Sequence, residues 1–108
     1  MDTLKNKIKM HLLPLVGLSA ITEVFEFGTI KYAENDWRGD NPTSNAANDH
    51  KGAILRHLTR MEMGEIVDEE SGLRHEYHIA ARALMWVAHI RVGTNVDNQF
   101  RYKDKTND

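Results

Sequence analysis

The chain has 108 residues, of which 41% are hydrophobic and 28% charged, and its formal net charge at pH 7 is −2. This length is typical of one domain with a modest core, and the small net charge favours neither a nucleic acid polymer nor an anionic membrane as a partner. Because the sequence contains no cysteine, disulfides and thiolate–zinc sites are excluded.

The N-terminal segment combines lysines with a short apolar run, which is the arrangement of a secretory signal peptide. The run is only about seven residues long and is interrupted by His11 and Pro14. No stretch of about 18 apolar residues is present, so no membrane span is expected. We therefore predict a cytoplasmic protein in which residues 4–13 form a short amphipathic segment that ends before Pro14.

The first long helix is predicted to begin at a cap on Ser19 and to continue to about residue 34. Gly28 lies in its middle and costs about 1 kcal/mol relative to alanine, which predicts a close backbone contact with a neighbour. Residues 35–49 are dense in turn-forming residues and are predicted to be a loop.

A second helix is predicted from a cap at Asn48 or Asp49 to about Gly64. A short acidic connection, IVDEESG, leads to a third helix over residues 73–92. With little strand signal, the fold class is all-α: one domain, 1–108, with its core at about 19–92. The polar tail, 93–108, is predicted to be frayed or used only in assembly.

The third helix has two distinct faces at 100° per residue. One face is apolar and is predicted to pack on the core: Tyr77, Ala80, Ala81, Leu84, Val87 and Ala88. The opposite face is a stripe of mixed chemistry: His75, His78, Ile79, Arg82, Trp86 and His89. The stripe favours either a second interface or a site for an anionic ligand with an aromatic ring. Apolar groups on both sides also predict an oligomer.

The second helix places His57 among apolar neighbours, flanked by Arg56 and Arg60. The short connection predicts an antiparallel pair with the third helix, so His57 should face His75 and His78. Neutral imidazoles would bind a transition metal, whereas protonated imidazoles beside the arginines would hold phosphates. In the first case the connection offers oxygen ligands: Glu65, Asp68 and Glu70. Spacing alone leaves both chemistries open, together with a purely structural role for the histidines.

The first helix and the loop after it add two further features. Glu23 and Glu26, one turn apart, would chelate a hard cation such as Mg²⁺, or they are N-terminal carboxylates favoured by the helix dipole. Lys31, Trp37 and Arg38 offer cationic and stacking chemistry suited to a nucleotide. The alternative for Trp37 is that it pins the loop to the core.

The ordered segments FGTIKYAENDWR, LRHL and GEIVDEESGLRHEYHIAARAL resemble a phage family of dATP/dGTP diphosphohydrolases over residues 23–87. That family is similar to the MazG-like nucleotide pyrophosphohydrolases. The resemblance implies a small MazG-like helical bundle that is completed by assembly into a homodimer or homotetramer. It also implies cleavage of a nucleoside triphosphate, chiefly dGTP or dATP, to the monophosphate and pyrophosphate with Mg²⁺ or Mn²⁺, as part of phage nucleotide metabolism.

The resulting hypothesis gives roles to three groups of residues. Catalysis is assigned to His75, His78 and Glu65. Substrate binding is assigned to Lys31, Asn35, Trp37, Arg38, Arg56 and Arg60. Metal binding is assigned to Glu23, Glu26, His57, Asp68 and Glu70.

One departure from the MazG pattern is His75-x-x-His78. MazG-type enzymes hold their metals with an E-x-x-E pair and an E-x-x-D pair, and the histidines stand where the second pair falls. Either the acidic residues named above replace it, or metal-dependent catalysis is altered. Two other hypotheses therefore stand beside the enzyme: a non-catalytic phage protein that sequesters nucleotides, and a structural oligomer.

Overall fold

A computed structural model describes residues 7–39 and 42–103 and shows four α-helices in that part of the chain. The helices are α1 (Leu15–Lys31), α2 (Pro42–Asn45), α3 (Ala47–Glu62) and α4 (His75–Val92). Within the described residues, the only strand-like pairings are two isolated bridges. The all-α prediction is confirmed. No helix in the same residues is long and apolar enough to span a membrane.

The first helix begins earlier than the sequence predicts. Pro14 occupies the N-cap position of α1, where a residue without a backbone N–H costs nothing, and the hydroxyl of Ser19 instead bonds the Val16 carbonyl inside the helix. The helix ends at Lys31 rather than at residue 34. Upstream, Met10–Leu12 form one 3₁₀ turn, while positions 4–6 of the predicted amphipathic segment lie outside the described residues.

The starts of α3 and α4 also differ from the predicted positions; α4 begins at His75 rather than at residue 73. Ala46, not Asn48 or Asp49, is the N-cap of α3, and the Asp49 carboxylate accepts a hydrogen bond from the Ala46 N–H at 3.2 Å. The residues predicted as caps therefore lie in the first turn. A second 3₁₀ turn, Asp36–Arg38, and α2 occupy much of the predicted loop.

The expected close contact at Gly28 is wrong. A Cβ atom placed on this residue would meet no atom within 4 Å. Nothing in the described structure explains a glycine at this position.

Helices α3 and α4 form the most extensive contact in the fold, and α1 packs against α4. The side of α4 that meets α3 is the polar stripe, because His75 and His89 are only 1% and 3% exposed. On the predicted core face, Leu84 and Val87 are 43% and 60% exposed. Ala81, on the same face, is 1% exposed, so the prediction is right for Ala81 and wrong for Leu84 and Val87. The mixed polar stripe lies in the seam, by which we mean the contact between α3 and α4.

The tail is tied to the start of α3 rather than frayed, as far as the described residues reach. The Val96 carbonyl accepts a hydrogen bond from the Ala47 N–H at 2.9 Å. The Asn98 side-chain oxygen accepts one from the Asn48 N–H, and the Asn98 carbonyl accepts one from the Asn48 side chain, both at 2.9 Å. These bonds satisfy backbone donors that the first turn of a helix leaves unpaired. Positions 104–108 of the predicted tail lie outside the described residues.

Candidate metal centre

Three imidazole rings meet at the end of the α3–α4 pair that lies next to the connection between the helices. His57 comes from the last turns of α3, and His75 and His78 from the first turn of α4. The Nδ1 atoms of His57 and His75 are 2.8 Å apart. The ring of His78 stacks on that of His57, with centroids 4.8 Å apart and an interplanar angle of 12°. The antiparallel pairing predicted from the short connection therefore brings these rings into contact.

The connection between α3 and α4 supplies carboxylates to the same place. Glu65 Oε1 lies 2.9 Å from His75 Nε2. Asp68 Oδ1 accepts hydrogen bonds from the Glu70 and Ser71 N–H groups, each at 3.0 Å, which folds the chain into a side-chain-stabilised turn. One possible ligand atom from each of His57, Asp68 and His75 lies within 4.8 Å of the other two. We call these three residues the donor cluster.

The electrostatic surroundings of His57 and Asp68 favour the protonation states that bind a cation. Burial, with smaller contributions from His78 and His75, lowers the pKa of His57. Burial also lowers the pKa of His78, partly offset by Asp68. For Asp68, burial raises the pKa, but the Ser71 N–H and the nearby His78 outweigh it and the net shift is downward. At neutral pH the rings of His57 and His78 are therefore uncharged and Asp68 is ionised, which disfavours the alternative in which these protonated imidazoles hold phosphates.

The hydrogen-bond network assigns the tautomer of the buried His75 ring. A carboxylate only accepts hydrogen bonds, so His75 carries its proton on Nε2, toward Glu65, and has a lone pair on Nδ1. The short Nδ1–Nδ1 contact then makes His57 the donor. A metal-ligating histidine commonly has its second nitrogen held by a carboxylate in this way. The chain's own donors therefore fit a divalent ion, provided that His57 gives up its Nδ1 proton.

Comparison with known protein families identifies the family of this chain. A family model for the N-terminal domain of dATP/dGTP diphosphohydrolases matches residues 2–99. The chain belongs to this family. It is thus a member of a family of hydrolases that act on nucleoside triphosphates, and the predicted resemblance is confirmed. No curated protein and no solved structure matches the chain.

Two of the predicted phosphate-binding cations are paired with carboxylates in this dATP/dGTP diphosphohydrolase family member. Lys31 Nζ contacts Glu70 Oε1, so a predicted substrate ligand and a predicted metal ligand hold each other. Arg60 Nη1 lies 3.3 Å from Glu65 Oε2. Arg60 is therefore linked to the donor cluster through Glu65 and His75.

The predicted base-stacking residues do not reach the donor cluster. Trp37 packs against Phe25 and His89, with ring centroids 5.5 and 5.9 Å apart, and its carbonyl accepts a bond from His89 at 2.7 Å. His89 is 11 residues beyond His78, or about 16 Å along α4. The side chain of Arg38 lies over the Trp37 ring. This geometry supports the alternative that Trp37 pins the loop to the core.

Among the remaining predicted residues, Asn35, Glu23 and Glu26 contribute no atom to the donor cluster, whereas Arg56 adjoins it. Asn35 has a left-handed backbone, φ 65°, and its side-chain oxygen accepts a bond from Arg38 Nε at 2.6 Å. Glu23 and Glu26 are exposed on α1 and contribute no atom to the donor cluster. Arg56 is exposed on α3, next in sequence to His57.

The sequence reasoning missed His50. This residue is fully buried, and its ring stacks on Trp86 at 5.7 Å and 17°. Burial, followed by the charge of Arg82, lowers its pKa to about 4. The signal was present, because His50 and His57 are two helical turns apart and must share one face of α3.

Proposed function

We propose that this chain hydrolyses purine deoxynucleoside triphosphates, dGTP and dATP, to the monophosphate and pyrophosphate, with one divalent ion held by His57, Asp68 and His75. The observation that carries the proposal is the donor cluster, in which two imidazoles and one carboxylate converge. Membership of a dATP/dGTP diphosphohydrolase family supports the reaction and the substrate class. The resemblance to phage sequences supports a role in phage nucleotide metabolism.

The donor set favours Mn²⁺ over Mg²⁺. Imidazole nitrogen suits borderline transition metals, whereas Mg²⁺ prefers oxygen ligands and retains several waters. When bound, the ion would neutralise negative charge on the phosphate oxygens and polarise the scissile anhydride. The protein residues do the rest by holding the substrate and moving a proton.

His78 is the proposed general base. Its Nε2 lies 2.7 Å from Ser71 Oγ, and the Leu73 N–H also donates to that oxygen, at 3.1 Å. A serine hydroxyl accepts two hydrogen bonds, so His78 Nε2–H can donate to Ser71 and leave Nδ1 free to accept a proton. The lowered pKa of His78 keeps the ring neutral, which is the form that a base requires.

The test is incubation of the purified protein with each dNTP in Mn²⁺ or Mg²⁺, with products separated by chromatography. We expect equal amounts of monophosphate and pyrophosphate from dGTP and dATP, and faster turnover with Mn²⁺. Asp68→Asn should abolish turnover. Absence of monophosphate from every dNTP with both ions, or release of the whole triphosphate, would overturn the proposal.

Asp97→Asn is the matched control. Like Asp68, Asp97 is an aspartate whose Oδ1 accepts the N–H two residues later in the chain, from Gln99 at 3.2 Å. It lies in the tail and pairs with Arg101, so the same substitution there should leave turnover unchanged.

The rival function, nucleotide sequestration without chemistry, predicts a different result in the same experiment. A sequestering protein would bind a dNTP in EDTA and return it intact after incubation with Mn²⁺. Consumption of the dNTP only in the presence of metal would count against it.

We also propose a homodimer or homotetramer in the cytoplasm. In the described part of the chain, the buried hydrophobic residues are few and small, whereas many large apolar side chains are exposed, among them Leu15, Val16, Ile30, Val87 and Ile90. Such a surface favours association. Light scattering coupled to size-exclusion chromatography should give a mass that is a multiple of the chain mass.

A further inference from the structure

The cationic side chains near the donor cluster differ in how their charge is compensated. Lys31 is paired with Glu70, and Arg60 with Glu65. Within residues 7–39 and 42–103, by contrast, no carboxylate lies within ion-pair distance of Arg56 or Arg82. Two arginines near the donor cluster, one from each helix of the seam, are therefore left without an ion pair.

Arg82 lies on the same face of α4 as His78, one turn further on, or about 6 Å along the helix axis. Its Nη2 donates to the Ser44 carbonyl at 2.6 Å, while its Nε is buried and has no hydrogen-bond partner in the described part of the chain. Burial lowers the pKa of Arg82, although a guanidinium stays protonated at physiological pH. A half-buried cation with an unused donor is costly unless an anion accompanies it.

A second side chain near Arg82, that of His50, also has buried polar atoms without a hydrogen-bond partner. In the described residues, the buried side-chain polar atoms without a partner are Nδ1 and Nε2 of His50 and Nε of Arg82. The charge of Arg82 acts on His50 and lowers its pKa, so these groups share one region of the seam. Unsatisfied buried polar groups are uncommon in folded proteins, and their concentration here marks a place where a polar ligand would be stabilising.

Arg56 approaches the same region from α3. Its Nη1 would lie only 3.2 Å from a Cβ atom on Gly52, so the guanidinium lies back along the helix over a residue that has no side chain. The charge of Arg56 acts on Arg82 and opposes its protonation, while the Asp49 carboxylate, which acts more strongly, favours it. Two guanidinium groups that repel each other beside a metal-binding cluster would be relieved by a shared anion.

We propose that Arg56 and Arg82 form an anion subsite that binds the β and γ phosphates of the substrate, next to the donor cluster. The identity of the anion as part of a nucleoside triphosphate rests on the proposed function, whereas the existence of the subsite does not. Lys31 and Arg60 then act mainly through their carboxylate partners rather than on phosphate. Arg82, which the sequence analysis placed in the mixed stripe without giving it a role of its own, becomes a substrate-binding residue.

The experiment measures pyrophosphate binding by calorimetry in EDTA, together with KM and kcat for dGTP in Mn²⁺. Because a charge-assisted hydrogen bond is lost, Arg56→Gln and Arg82→Gln should each weaken pyrophosphate binding by about tenfold or more. KM should rise in parallel. Arg82→Lys should recover part of the affinity, because it restores the charge without the fork of donors.

Arg74→Gln is the control, since this exposed arginine on the N-terminal side of α4 is already paired with Glu76. It should leave the affinity for pyrophosphate unchanged. Thermal melting separates loss of binding from loss of folding: Arg82→Gln also removes the bond to Ser44, whereas Arg56 is exposed and its substitution should leave the fold intact.

The outcomes of the two proposals are distinguishable. Unchanged pyrophosphate affinity and KM in folded Arg56→Gln and Arg82→Gln, or an equal loss in Arg74→Gln, would overturn the subsite while leaving the hydrolase proposal intact. Arginine-dependent pyrophosphate binding without any dNTP hydrolysis would support the subsite and reject the hydrolase.

Discussion

Replacing Glu65 with alanine tests whether this residue acts by positioning His75 rather than by touching substrate. Glu65 Oε1 accepts from His75 Nε2 at 2.9 Å, and His75 is only 1% exposed. Without the carboxylate, the buried ring is free to place its proton on Nδ1, the atom that faces the donor cluster. The substitution should therefore weaken metal binding through a residue that is not itself a ligand.

The size of the effect follows from this geometry. Loss of an outer-shell carboxylate on a ligating histidine typically weakens metal affinity by about 10–100-fold. The buried Nε2–H of His75 also loses the one hydrogen-bond partner that it has among the described residues, which should lower the free energy of unfolding by about 1–3 kcal/mol. The hydrogen bond that Arg60 donates to Glu65 is longer, at 3.3 Å, and more exposed, so its loss adds little to the change in stability.

The assay is a Mn²⁺ titration followed by electron paramagnetic resonance, in which only free Mn²⁺ gives the sharp six-line signal. Glu65→Gln should lose less affinity than Glu65→Ala, because an amide oxygen still accepts the Nε2–H. Glu62→Gln is the control, since Glu62 is exposed at the end of α3. Nitrogen-15 shifts of the metal-free protein should show the Nε2–H tautomer of His75 in the wild type.

Two results would refute this reasoning. A folded Glu65→Ala variant that binds Mn²⁺ as tightly as the wild type would show that the carboxylate does not position His75. A wild-type protein that binds no divalent ion would remove the metal centre itself.

Three further predictions concern the stability of the fold and the predicted stacking of Trp37 on the nucleobase. The lowered pKa of His50, about 4 against 6.5, means that the unfolded chain takes up the proton first; the free energy of unfolding should therefore fall by up to about 3 kcal/mol as the pH drops from 6.5 to 4. His50→Phe should flatten this dependence in urea unfolding, and an unchanged slope would contradict it. Trp37→Ala should cost about 2–3 kcal/mol by thermal or urea unfolding, with KM for dGTP unchanged; a raised KM in the folded variant would instead favour the predicted stacking role. Asn98→Ala should cost about 1 kcal/mol because the Asn48 N–H loses its acceptor, whereas Asn95→Ala, the control, should cost little.

The sequence by itself determined the helices and the convergence of the imidazoles. Helical periodicity and turn residues placed three long helices correctly to within a few residues. The short connection after α3 favours an antiparallel return, so His57 was expected to meet the first turn of α4. The sequence identified Asp68 as a possible oxygen ligand. It did not predict the turn in which the Asp68 side chain accepts backbone hydrogen bonds, because such bonds depend on local conformation.

Only the tertiary structure decided how deeply each face of α4 is buried and which charged side chains pair. Periodicity shows which residues share a face, but a mixed stripe and an alanine-rich stripe both suit packing, so it does not reveal which one is buried. Ion pairs such as Lys31–Glu70 and Arg60–Glu65 depend on the relative placement of separate elements, which spacing along the chain does not encode. Within the described residues, the tertiary structure thus left Arg56 and Arg82 as the cations near the donor cluster that form no ion pair.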